Sequence, residues 1–154
     1  MTHFPNFLRA ALFAAPIALA ACGMAPKADS TPMGSAGSVT FSATLSGAAE
    51  VPANTSAASG KLDATLDKAN NALRWTMTYS GLTGPATMAH FHGPAMPGAN
   101  AGVAVPFPSA ISPAAGETTL TLMQIEDLMA GKWYVNVHTA AFPGGEIRGQ
   151  MMRK

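Results

Sequence analysis

From Ser38 onward, apolar and polar residues alternate with a period of two. In SVTFSATL, Val39, Phe41, Ala43 and Leu45 fall on one side and Ser38, Thr40, Ser42 and Thr44 on the other, as in a strand with one buried face. GKLDATLD repeats the pattern with Leu62, Ala64 and Leu66, and ALRWTMTYSGL reads as a third strand that breaks at Ser80-Gly81. The turn residues Asp67 to Asn71 join the second and third as a hairpin. Pro94, Pro97, Pro106, Pro108 and Pro113 leave room only for short edge strands such as AGVAV in the segment that follows, because proline brings no N–H to a ladder. TLTLMQIEDLMAG is the one helix candidate: Thr121 caps it, Ile125, Leu128 and Met129 share a face, and Gly131 ends it. KWYVNVHT and GEIRGQMM then read as two closing strands joined by Pro143-Gly144-Gly145. The whole pattern predicts an all-β domain, an antiparallel β-sandwich or Greek-key barrel with one short helical insertion.

The start of the chain follows another logic. MTHFPNFLRAALFAAPIALAAC has Arg9 ahead of an apolar run from Ala10 to Ala21, which is the layout of a secretory signal and too short for a spanning helix. The run closes on Leu19-Ala20-Ala21-Cys22. This resembles the bacterial lipobox, which implies cleavage before Cys22 and acylation of that cysteine. Residues 1–21 are therefore expected to be a signal peptide, residues 22–38 a lipidated, flexible Pro/Gly/Ser/Ala-rich tether, and residues 39–154 the β domain. Localisation is expected to be periplasmic and lipid-anchored, at the outer membrane, since Gly23 stands where inner-membrane retention uses an aspartate in some bacteria. Cys22 is the only cysteine, so acylation leaves no thiol for a disulfide, a thiolate metal site or a nucleophile. Loss of Arg9 with the signal leaves eight basic against eight acidic residues. A neutral domain without a basic stripe excludes nucleic acid as a partner.

Candidate chemistry then rests on histidine. His3 goes with the signal, leaving His90, His92 and His138. In MAHFHGPAMPG, His90 and His92 project to one face of a strand, with Met88 beside them, while Ala89 and Phe91 face the other way. In KWYVNVHT, Trp133, Val135 and Val137 form the apolar side, and Tyr134, Asn136 and His138 the opposite one. All three imidazoles thus leave the core side of their strands. They converge if the two strands lie side by side. Three neutral imidazoles suit copper, which stands highest in the divalent affinity order, and zinc less well. Met88, or Met96 on the following loop, is a candidate fourth, thioether ligand. Tyr134 and Asn136 are placed to hydrogen-bond the metal-binding side chains. Glu146 and Arg148, on one face of the final strand, are read as supporting residues that pair with neighbours or orient the loop.

Three segments together resemble the CHRD domain, named after repeats in the vertebrate protein chordin. FSATLSGAAEVPANTSAASGKLDATLD is similar to its opening, MAHFHGPA to its central His-x-His segment, and GKWYVNVHTAAFPGGEIRGQM to its closing signature. The resemblance covers roughly Val39 to Met152 and implies a β-sandwich with a binding role rather than a secure enzymatic one. It carries the motif histidines onto His90, His92 and His138.

A partial similarity to Cu,Zn superoxide dismutase supplies an enzymatic alternative. The two-metal form is excluded, because three histidines and no spare cysteine cannot build its zinc cluster and disulfide. A copper-only redox enzyme needs an anion guide, for which Arg148 is the candidate. No catalytic triad or paired carboxylate stands out, and the glycines of FPGGEIRG fit a tight hairpin better than a phosphate loop. The leading expectation is an extracytoplasmic lipoprotein that holds one copper ion for sequestration or delivery, with the membrane as partner through its lipid. A metal-free protein-interaction module is the alternative. A second copy of the chain could complete the ligand set.

Overall fold

A computed structural model describes residues 37–154. The expected signal peptide, the expected lipidation site Cys22 and nearly all of the expected tether lie outside the described residues.

Among the described residues, nine strands form one antiparallel sheet: β1 (Ser38–Ser46), β2 (Ser59–Asp67), β3 (Ala72–Ser80), β4 (Ala86–His92), β5 (Val103–Pro106), β6 (Ala114–Thr119), β7 (Tyr134–Thr139), β8 (Ile147–Gln150) and β9 (Met152–Arg153). The order is β5-β4-β7-β8-β1-β2-β3-β6, with β9 also pairing with β1. Of the two expected forms the sheet takes the barrel, curled until it is nearly closed. The first strand starts at Ser38, which pairs with Asp67.

The alternation read from the sequence sets the interior. Val39, Phe41, Ala43, Leu45, Leu62, Ala64, Leu66, Leu73, Trp75 and Met77 point inward from β1 to β3, and Ala89, Phe91, Val135, Val137 and Ile147 do so from β4, β7 and β8. Trp75 meets Phe91 edge-on at 5.2 Å between ring centres and Phe107 at 4.9 Å, so the barrel is filled by interlocked rings. The helix α1 (Leu122–Met129) starts as expected: Thr121 Oγ1 accepts a hydrogen bond from the Gln124 N–H, and Gln124 Oε1 accepts one from the Thr121 N–H. Leu128 is buried, with Ile125 and Met129 packed against the core beside it.

Two local features depart from the pattern. AAGETT, too weakly apolar to announce a strand, forms β6 because Gly116 lies against the Trp75 indole. A Cβ there would come within 2.3 Å of that ring. The closing segment is also not continuous. β8 ends at Gln150; Met151 turns into the core, its N–H donating to the Trp133 carbonyl at 2.8 Å, and only then does β9 begin.

Candidate metal centre

Strands β4 and β7 are neighbours, so the condition for convergence is met. Their register pairs Met88 with His138, His90 with Asn136 and His92 with Tyr134. Directly paired residues share a face, and all six side chains therefore stand on the outer face of the sheet, opposite Phe91 and Val135. The segment from Gly93 to Gly102 covers this face. Its Ala101 carbonyl accepts from His92 Nδ1–H at 3.0 Å and from the Tyr134 hydroxyl at 3.3 Å.

One nitrogen from each of the three histidines lies within 4.8 Å of the other two. His90 Nδ1 and His138 Nε2 are 3.2 Å apart. Four tetrahedral ligands at about 2.0–2.1 Å from a metal stand roughly 3.3 Å from one another, so the spacing fits an ion held between them. The protonation pattern fits as well. His138 Nδ1 is 3.0 Å from the Pro143 carbonyl. A carbonyl only accepts, so the Nδ1 atoms of His92 and His138 carry their hydrogens and each neutral ring presents the lone pair of Nε2 inward. Burial lowers the His138 pKa, against the hydrogen bond to Pro143, and burial followed by the nearness of His138 and His92 lowers that of His90. Both shifts favour the neutral, metal-binding form.

The sequence model of the CHRD domain matches residues 41–151. The chain belongs to the CHRD domain family. No curated protein and no solved structure matches it. Within this CHRD domain the three motif histidines are the ones that the barrel gathers.

The remaining expected site residues fall into distinct positions. Met88 flanks the centre opposite His138 but is 48% exposed, and Met96 is 59% exposed. The Tyr134 ring lies parallel to His92, 4.7 Å between centres, and the Arg148 guanidinium sits 3.4 Å from the Tyr134 ring centre. Arg148 itself is 2% exposed and donates to Asn100 Oδ1 at 2.9 Å and the Ala99 carbonyl at 2.7 Å. Its charge is spent on clamping the covering loop and the Tyr134 face. It does not present a guanidinium to solvent as an anion guide would, which removes the feature that favoured a redox enzyme.

Glu146 makes its contacts away from the imidazoles. It accepts from the Ser56 hydroxyl at 2.8 Å, the Thr83 N–H at 2.9 Å, the Thr83 hydroxyl at 2.8 Å and the Thr139 hydroxyl at 2.7 Å. Burial pushes its pKa up, but the bonds from Thr139, Ser56 and Thr83 outweigh that and hold it below the usual carboxylate value. Glu146→Ala strands several buried donors at once and is expected to cost about 3 kcal/mol or more in denaturant unfolding. Metal stoichiometry should stay unchanged wherever the variant remains folded.

Two features escaped the sequence reading. Asn136 Oδ1 lies 3.0 Å from His92 Nε2 and 2.9 Å from His138 Nε2, between the two rings rather than behind them. Glu50, which follows a 3-10 turn at Gly47–Ala49, is 7% exposed with its Oε1 unpartnered, and its carboxyl stands beside the Asn136 amide nitrogen next to Gly145. The only sequence signal for Asn136 was its place on the strand face of His138. Glu50 gave none, because it arrives from a loop.

Proposed function

We propose that this CHRD domain holds one transition-metal ion, copper ahead of zinc, through His90, His92 and His138. The chain acts outside the cytoplasm, tethered through an acylated Cys22 to the periplasmic side of the outer membrane, where it sequesters or delivers the ion. The convergence of three imidazole nitrogens, two of them turned inward by backbone carbonyls on their far side, is the observation that carries this reading. Borderline nitrogen donors rank copper above zinc in affinity. Export from the cytosol is what the signal-like N-terminus and the lone Cys22 support.

The same 3.2 Å contact between His90 and His138 closes as a hydrogen bond without any ion. That favours a second reading, a metal-free interaction module whose histidines brace the covering loop. Copper titration of the purified protein beside His90→Ala and His92→Ala separates the two. One equivalent taken up by the native chain, and lost or strongly weakened in both variants, supports the metal reading. Equal behaviour of all three proteins rejects it.

A further inference from the structure

We propose that Asn136 supplies the fourth ligand through Oδ1, giving a three-nitrogen, one-oxygen site suited to a divalent ion, Cu(II) or Zn(II), rather than to Cu(I). This rests on the three-histidine reading and goes beyond it in naming the donor that closes the site and the charge state it selects.

The argument is one of acceptors meeting acceptors. His92 and His138 each donate their Nδ1 hydrogen to a main-chain carbonyl, which leaves a lone pair on each Nε2. The amide oxygen of Asn136, also an acceptor, sits 3.0 and 2.9 Å from those two atoms. His90 Nδ1–H can satisfy His138 Nε2 in the absence of an ion, but Asn136 Oδ1 and His92 Nε2, both acceptors, repel one another at 3.0 Å unless a positive centre lies beside them. Protonating both rings would instead put two like charges on imidazoles whose centres are 6.4 Å apart. A bound cation resolves the contact with one charge.

The orientation of the amide has its own cause. The Nδ2 end of the amide lies on the side of the Glu50 carboxyl, both of them next to Gly145, and Oδ1 is turned towards the rings. Gly145 makes room for this. At its φ of +131°, a Cβ would lie 2.3 Å from Glu50 Oε1 and 2.8 Å from Asn136 Nδ2. Three of the six edges of the donor cluster, 2.9, 3.0 and 3.2 Å, lie close to the roughly 3.3 Å of a tetrahedral site, and the histidine nitrogens all lie within 4.8 Å of one another. The thioether candidates are less well held: Met88 and Met96 are both about half exposed or more. Amide oxygen is also a harder donor than thioether sulfur, and a hard donor in place of a soft one shifts preference from Cu(I) towards divalent ions.

Electron paramagnetic resonance of the Cu(II)-loaded protein tests the assignment, together with Cu(II) and Cu(I) affinities measured by chelator competition. Asn136→Ala is expected to shift the copper hyperfine splitting and to raise the Kd for Cu(II) about 10- to 100-fold, with little change for Cu(I). Met88→Leu and Met96→Leu should leave the spectrum as it is. If Asn136→Ala does not fold, Asn136→Asp decides: it keeps an oxygen at that position, now charged, and must move the hyperfine splitting while still binding copper. An unchanged spectrum in the Asn136 variants, or a shift in either methionine variant, overturns the oxygen ligand while leaving the histidines in place. A native chain that takes up no copper overturns both this assignment and the histidine reading.

Discussion

His138→Ala is expected to abolish stoichiometric copper uptake and to erase the stabilisation that copper confers on the native chain. His138 is the hinge of the cluster: its Nε2 is the atom that approaches both His90 Nδ1 and Asn136 Oδ1, and its Nδ1 ties the ring to the turn at Pro143. Alanine removes one ligand and unlocks the turn that aims it. For the native chain with free copper at about one hundred times Kd, binding adds roughly 2.7 kcal/mol to stability, visible as a rise in Tm; the variant should show no rise. A Tm shift of native size in His138→Ala would place the ion elsewhere. Protons compete for the same lone pairs, so affinity must fall on acidification. Burial lowers the pKa of His90 and of His138. The fall should therefore set in below about pH 6.5, the ordinary imidazole value, rather than at it. A titration whose affinity does not change down to about pH 4 would argue against imidazole ligation.

How much of this was legible beforehand differs from one residue to the next. A period of two tells which face a side chain leaves by, and it placed His90, His92 and His138 outside the core because Ala89, Phe91, Val135 and Val137 had to be inside. It does not tell which strands are neighbours. The pairing of β4 with β7, and the register that sets Asn136 opposite His90, come from how the whole barrel closes. That is why Asn136 read as a supporting residue although its oxygen stands among the imidazole nitrogens. The strand β6 was hidden for a related reason: Gly116 serves the Trp75 ring across the ladder, and nothing within AAGETT itself signals burial. Arg148 lies on β8 while Glu146 precedes it, and the partners of both come from distant loops. Asn100 and the Ala99 carbonyl hold one; Ser56 and Thr83 hold the other. Long-range loop contacts of this kind carry no local signature.

Glu50 shows what such a loop residue does to stability, and Glu50→Gln is expected to stabilise the metal-free protein at alkaline pH. Burial raises its pKa from 4.5 to about 7, against the attraction of Arg148 and the hydrogen bonds from Val51 and Asn136. The native state therefore holds a proton that the unfolded chain gives up, and native stability falls as pH rises through this window. At one unit per 1.36 kcal/mol, the penalty above about pH 7 amounts to roughly 3 kcal/mol, and it vanishes below about pH 4.5 where both states are protonated. His90 and His138 act in the opposite sense. Their pKa values are lowered in the fold, so their contribution is complete above about pH 6.5 and is lost as pH falls below it. The glutamine variant loses the first slope and keeps the second, together with the loss at lower pH that comes from the lowered Glu146 carboxyl. Urea unfolding in the presence of a chelator should show the variant more stable by up to about 3 kcal/mol near pH 8, with the gain shrinking towards zero near pH 4.5. Equal stability of the two proteins near pH 8 would mean that the fold does not raise the Glu50 pKa, the charge of Arg148 offsetting the burial of the carboxylate.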